Sequence, residues 1–121
     1  MEAFVFDTYA LLEIIAGNKN YEKYINSEII INDFIFAELC YKIIRENGYE
    51  KASFYANEYS TFIKEIDAKT IKEAMLLRVQ HKSKNFSATD CISYIMALKL
   101  NIKFLTGDNQ FENMGGVEFV K

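Results

Sequence analysis

The sequence predicts an α/β fold with three layers, in which a short, mostly parallel sheet of four or five strands is flanked by helices. Short apolar runs at 3–6, 28–31 and 103–106 do not alternate with polar residues, which is typical of strands covered on both faces. Segments with helical spacing lie between these runs, as in folds with parallel sheets. The 121 residues are enough to bury one core and too few for two, so we expect one domain over 1–121.

In the first half of the chain, Asp7 follows the first strand, and apolar residues at helical spacing continue to Ile15. Asn32 or Asp33 is expected to cap a long helix, for which Gly48 is the stop. The predicted elements are a strand at 3–6, a helix at 8–15, a helical turn at 20–25, a strand at 28–31 and helices at 33–47 and 49–61.

In the second half, the predicted elements are a strand at 62–66, a helix capped by Asp67, a helix opened by Ser87, a strand at 103–106 and a strand at 117–120. Three of the predicted strands are followed by an acid, namely Asp7, Asp67 and Asp108. Ligands of open α/β sheets bind outside the carboxyl ends of the strands, so we expect the chemistry there.

Composition and charge exclude several classes of protein. No apolar run approaches the roughly 20 residues of a membrane helix. The N-terminal residues lack a basic region, so we expect no signal peptide. Cys40 and Cys91 are expected to be buried free thiols, which favours a cytoplasmic protein. The net charge of −3 argues mildly against nucleic-acid binding, although two bound divalent cations would bring it to +1.

Asp7 and Glu38 are the first two candidate site residues. Asp7 directly follows an apolar strand, where it could equally be a helix cap or a rigidly held ligand. Glu38 lies in the most apolar helical stretch of the chain, residues 34–41. A carboxylate in such surroundings needs a cation as a partner unless it faces water.

Asp90 and Asp108 are the other two candidates. Asp90 stands three residues after Ser87, so a capping box explains it as well as catalysis does. Asp108 is a turn acid after a strand. If the sheet brings the four acids together, a cation must neutralise them. Oxygen ligands select Mg²⁺ or Mn²⁺, and the single His81 excludes a zinc site with several histidines.

Four segments in this order resemble a PIN domain, and in particular the VapC-type toxins of toxin–antitoxin pairs. The segments are Val5-Phe6-Asp7-Thr8, Phe36-Ala37-Glu38-Leu39, residues 87–97 from Ser87-Ala88-Thr89-Asp90 onward, and Leu105-Thr106-Gly107-Asp108-Asn109-Gln110-Phe111. The resemblance implies a Rossmann-like sheet and a metal-dependent ribonuclease that hydrolyses RNA phosphodiester bonds. It also implies that Asp7 and Asp90 bind the metal, with Glu38 and Asp108 completing an acidic quartet.

The resemblance extends to substrate and partners. Thr8 and Thr106 match hydroxyl positions that would place water or phosphate. The helices at 33–61 are rich in aromatic residues and are implied to dock a small antitoxin protein, and a homodimer is expected. Independently, Arg78, His81, Lys82 and Lys84 form a basic cluster that would steer RNA, with a solvated helix end as the equal alternative.

Two other enzyme classes begin with a strand that ends in Asp. A haloacid-dehalogenase-type phosphatase needs a second Asp two residues later, where this chain has Tyr9. A phosphoacceptor receiver domain needs paired acids after its first strand, and Phe6-Asp7-Thr8 has only one. The remaining alternatives are a stand-alone RNA-processing nuclease and a non-catalytic PIN-like binding module, and the intact quartet argues against the second.

Overall fold

The computed structural model describes all residues from 1 to 121 and shows a four-stranded sheet flanked by helices. The strands are β1 (Ala3–Phe6), β2 (Glu28–Ile30), β3 (Lys103–Thr106) and β4 (Val117–Phe119). The α-helices are α1 (Thr8–Ile15), α2 (Asp33–Asn47), α3 (Tyr49–Tyr59), α4 (Ala68–Gln80) and α5 (Ala88–Leu100). Short 3₁₀ turns cover Lys19–Tyr24, Ser60–Phe62 and Asn109–Phe111.

The strand order places a topological switch point in the middle of the sheet. The order is β2-β1-β3-β4, and all three pairings are parallel. The chain moves outward from β1 to β2 and later returns to the other side of β1 as β3. At such a reversal the connections leave in opposite directions, which opens a crevice at the carboxyl ends of the two central strands. The fold predicted from the sequence is therefore confirmed.

Specific capping residues fix where several of the helices begin and end. The Asn32 side chain accepts a hydrogen bond from the Ile35 amide at 2.9 Å, so Asn32 caps α2. The Asp67 carboxylate accepts from the Thr70 amide at 2.8 Å and caps α4, as predicted. Helix α5 ends at Asn101, whose φ of 58° is the left-handed conformation of a helix stop.

The core is one cluster that contains β1, β3 and the inner faces of the helices. The Phe6 and Phe104 side chains of the two central strands are fully buried, and Phe104 meets Phe111 edge to face, with ring centroids 5.1 Å apart. Leu11 of α1 and Ile35 of α2 are equally buried. Burying such side chains stabilises the fold by about 1.5–3 kcal/mol each, which holds the strand ends in place.

The strand predicted at 62–66 is wrong. Phe62 ends a 3₁₀ turn, and the segment touches the sheet only at Ile63, which forms a single parallel bridge with Ile31 beyond the end of β2. After Lys64 donates its amide to the Ile31 carbonyl, the chain leaves the sheet to reach the cap of α4. Asp67 therefore does not follow a strand, and its carboxylate is a cap rather than part of the crevice.

Two sequence-level expectations concern the thiols and the membrane. Cys40 and Cys91 are both free cysteines, and Cys91 is buried whereas Cys40 is half-buried. None of the helices has the length and apolar character needed to cross a bilayer.

Candidate active site

A pocket of about 570 Å³ lies at the carboxyl ends of β1 and β3, and all four predicted acids line it. Asp7 follows β1 and Asp108 follows β3, while α2 and α5 supply Glu38 and Asp90. Four segments that are far apart in sequence thus meet at the switch point.

Asp7 is the most constrained of the four acids. Its side chain is only 4% exposed. One carboxylate oxygen accepts a hydrogen bond from the Thr8 amide at 2.8 Å, and the other accepts from the Thr106 hydroxyl at 2.6 Å. Burial, followed by the nearby charges of Asp90 and Glu38, raises the pKa of Asp7 to about 7 despite these two bonds. A carboxylate this poorly solvated has a strong need for a cation.

Asp90 caps α5 and also lies in the wall of the pocket. Its Oδ2 accepts from the Ser87 amide at 2.9 Å, and the Ser87 hydroxyl accepts from the Asp90 amide at 3.0 Å, which completes a capping box. The same residue lines the pocket. Burial raises the pKa of Asp90, and the charges of Asp108 and Glu38 raise it further. The cap fixes the side chain and leaves it next to the other acids.

Glu38 and Asp108 are more accessible. Glu38 is half-buried on the face of α2 that contacts the pocket. Asp108 accepts from the Gln110 amide at 3.1 Å and so caps the short turn after β3. Both carboxylates are close enough to Asp90 to affect its titration, so the quartet is one electrostatic unit.

Thr8 and Thr106, predicted to place water or phosphate, lie beside the pocket rather than in its wall. The Thr106 side chain is fully buried, donates to Asp7 and accepts from the Asp108 amide at 3.1 Å. Its hydroxyl therefore orients two of the acids. Thr8 does not line the pocket either, and its buried hydroxyl has no hydrogen-bond partner in the protein.

The basic cluster predicted to steer RNA lies outside the pocket. Arg78 donates to the Phe86 carbonyl at 3.1 Å, and Lys84 donates to the Gln110 carbonyl at 2.7 Å, so both connect loops. The basic residues that do line the pocket are Lys42 and Lys51, which the sequence analysis missed. The signal for Lys42 was its position one helical turn after Glu38, on the same face of the helix.

Gly107 links Thr106, which orients Asp7, to the site acid Asp108. A Cβ atom at this position would overlap the Tyr9 ring and the carbonyl oxygen of Val120. The backbone at Val120 is held by the hydrogen bond that its N–H donates to the Thr106 carbonyl, so it has little freedom to move away. The close approach of β3 and its loop to Tyr9 therefore requires glycine.

We expect Gly107→Ala to lower the free energy of unfolding by about 1–3 kcal/mol, because overpacking forces neighbouring atoms apart. Urea unfolding followed by circular dichroism measures this loss. Gly115→Ala is the matched control, since a Cβ there meets nothing within 4 Å. Equal stabilities of the two variants would contradict the steric role of Gly107.

The donor set suits a hard divalent cation, because the lining carboxylates supply only oxygen ligands and the pocket contains neither His nor Cys. With the side chains as placed, no three of the acidic, His or Cys residues form a ready-made ion cage. Asp7 is held in the pocket by its two hydrogen bonds. The chemistry of the residues therefore fits Mg²⁺ or Mn²⁺.

Comparison with known families agrees with this architecture. The PIN domain family matches residues 4–117. The chain belongs to the PIN domain family. No curated protein sequence matches this PIN domain.

Solved structures resemble this PIN domain over nearly its whole length. The structure of VapC20 from Mycobacterium tuberculosis, described as a sarcin-ricin loop cleaving toxin, has a TM-score of 0.80 at 20% identity and covers 99% of this chain and 100% of its own. VapBC2 from Rickettsia felis, bound to a promoter DNA fragment, has a TM-score of 0.74 at 17% identity, with 98% and 99% covered. A toxin–antitoxin complex from Klebsiella pneumoniae has a TM-score of 0.74 at 18% identity, with 95% of each covered. These likenesses show a shared fold.

Proposed function

We propose that this PIN domain is a metal-dependent endoribonuclease that hydrolyses RNA phosphodiester bonds in the cytoplasm. The observation that carries the proposal is the meeting of Asp7, Glu38, Asp90 and Asp108 in one pocket at the switch point. Burial, with a smaller contribution from the charges of Asp90 and Glu38, raises the pKa of Asp7, so these carboxylates are a costly arrangement unless a cation binds between them. Such a site is suited to phosphoryl chemistry.

In this proposal Asp7 and Asp90 are the metal ligands, and Glu38 and Asp108 complete the acidic site. A bound Mg²⁺ or Mn²⁺ would lower the pKa of a water molecule and offset the charge of the phosphate. The protein's own contribution is to hold the carboxylates in place. Thr106 and the Thr8 amide orient Asp7, and the Ser87 amide orients Asp90.

The surface of α2 and α3 supports a protein partner. Tyr41 and Ile44 of α2 and Tyr49 and Phe54 of α3 expose between 42% and 74% of their surface, and exposed large apolar side chains concentrated on two consecutive helices favour a docking site. Together with the fold shared with VapBC complexes, this supports a toxin whose antitoxin docks on residues 33–61, and a homodimer. A neighbouring gene for a small DNA-binding protein would distinguish a toxin from a stand-alone RNA-processing nuclease.

We expect the purified protein to cleave single-stranded RNA with Mg²⁺ or Mn²⁺, and EDTA to abolish cleavage. Asp90→Asn should lower the cleavage rate by more than about 100-fold, because even partners of metal ligands cost 10–100-fold when removed. The Asn side chain can still accept from the Ser87 amide, so the cap of α5 is retained. Gel electrophoresis of a labelled RNA measures the rate.

Asp33→Asn is the matched control, since Asp33 is an exposed acid in the first turn of α2 and should leave the rate unchanged. Cleavage that survives EDTA, or that persists in a correctly folded Asp90→Asn variant, would sink the proposed function.

A further inference from the structure

The charges around the pocket pose a problem for an anionic substrate. Six carboxylates line it, namely those of Asp7, Glu13, Glu38, Glu46, Asp90 and Asp108, against the two ammonium groups of Lys42 and Lys51. A nucleic-acid backbone that enters this pocket meets an excess of negative charge. Metal ions between the acids would neutralise the charge of the phosphate that reacts. The neighbouring phosphates of the nucleic acid would still need other cations.

Lys42 and Lys51 come from two consecutive helices. Lys42 is half-buried on α2, one turn beyond Glu38. Gly48, with a φ of 93°, lets the chain turn sharply between α2 and α3, and Lys51 lies in the first turn of α3, on the same pocket. The two lysines therefore lie on the α2–α3 side of the site.

Neither lysine is occupied by a partner in the protein. The three ion pairs of the structure join Arg45 to Glu46, Lys99 to Glu73 and Lys103 to Glu118. The ammonium groups of Lys42 and Lys51 are thus free to bind an anion. A flexible lysine on a pocket rim acts as a mobile point charge, which suits contact with phosphate oxygens.

The rival basic cluster is less suited to this task. Arg78 and Lys84 are bonded to carbonyl groups of neighbouring loops, and neither lines the pocket. Lys82 is exposed but is likewise absent from the pocket wall.

We propose that Lys42 and Lys51 bind the RNA phosphates next to the scissile one, so that the strand crosses the site along the α2–α3 side. The inference rests on the proposed nuclease function and adds a substrate path to it. Each lysine that contacts a phosphate displaces counterions from the RNA. For single strands, each such contact contributes about −0.7 to the slope of the logarithm of the binding constant against the logarithm of the salt concentration. Lys42 and Lys51 together should therefore account for about 1.4 of the magnitude of this slope.

The test measures binding of a fluorescein-labelled single-stranded RNA of about 12 nucleotides by anisotropy over a salt series. The Asp90→Asn background prevents cleavage, and Mg²⁺ is present throughout. Lys42→Gln with Lys51→Gln should weaken binding by more than about 10-fold and reduce the salt slope by about 1.4. In the otherwise native protein the same pair should raise KM for RNA cleavage more than it lowers kcat, since the lysines position the substrate.

Lys72→Gln is the control, because Lys72 is exposed on α4 and outside the pocket, and it should change neither slope nor affinity. A folded double variant with an unchanged salt slope overturns the inference, as does a loss of slope that appears only in Lys82→Gln. In both cases cleavage by the native protein would leave the nuclease function standing. If the native protein neither binds nor cleaves RNA, the nuclease function and this inference fail together.

Discussion

Replacing Asp7 with Asn is expected to stabilise the metal-free protein above pH 7 while it abolishes RNA cleavage. Burial raises the pKa of this carboxyl to about 7, whereas in the unfolded chain the pKa is about 3.9. Between these two values the folded state retains a proton that the unfolded state has lost. The stability contributed by this group therefore falls as the pH rises from about 4 to 7, and above pH 7 the full cost of the buried charge is present.

Asparagine removes that cost and keeps an oxygen that can accept from the Thr8 amide. In EDTA at pH 8, the melting temperature of Asp7→Asn should exceed that of the native protein by about 5 °C or more, and the difference should shrink toward pH 5. Added Mg²⁺ should raise the melting temperature of the native protein, because a ligand bound only by the folded state stabilises it, but not that of the variant. Differential scanning fluorimetry over a pH series measures both effects.

Asp67→Asn is the matched control for this experiment. Hydrogen bonds from Thr70 lower the pKa of Asp67, so loss of its charge should not stabilise the protein at pH 8. If the melting temperature of Asp7→Asn at pH 8 is at or below that of the native protein, the claim that a buried, unneutralised charge on Asp7 destabilises the metal-free protein is wrong.

Thr106→Val is expected to reduce metal affinity and cleavage by about 10–100-fold, the usual effect of losing a group that orients a metal ligand. Valine has nearly the shape of threonine but cannot donate to Asp7 or accept from the Asp108 amide. Leaving these partners unsatisfied should also cost about 1–3 kcal/mol of stability.

The pH profile separates this positioning role from a general loss of stability. The bond from Thr106 lowers the pKa of Asp7, so its removal should shift the acidic limb of the cleavage profile to higher pH. Thr106→Ser retains the hydroxyl and should restore both the profile and the metal affinity. A Thr106→Val variant with native metal affinity and an unshifted profile would show that Asp7 needs no such support.

The sequence predicted the sheet and the four acids because both depend on local patterns. The sequence shows an apolar strand followed by an acid at Asp7, and the four consecutive residues from Ser87 to Asp90 predict the capping box. The prediction of a strand at 62–66 is wrong because an apolar run has the pattern of a strand even where no neighbouring strand is available to pair with it. That segment finds only Ile31 to pair with.

The roles of Thr106 and Lys51 depend on distances that no local pattern contains. The Thr106 hydroxyl meets Asp7 only because β1 and β3 are neighbours in the sheet. Lys51 reaches the pocket only because α3 folds back beside α2 at Gly48. The resemblance therefore implies a substrate role for Thr106, and no local pattern indicates that Lys51 lies at the site.

The hydrogen bond between Thr106 and Asp7 also makes the geometry of the pocket depend on the correct pairing of β1 with β3. Phe6 is paired with Leu105, and the Asp7 amide donates to the Leu105 carbonyl at 3.0 Å. Because successive strand residues face opposite sides of a sheet, a slip of β3 by one residue would turn the Thr106 hydroxyl away from Asp7. A chain that folds with the wrong register is thus left with a damaged site, and activity after refolding measures the fraction of molecules with correctly paired central strands.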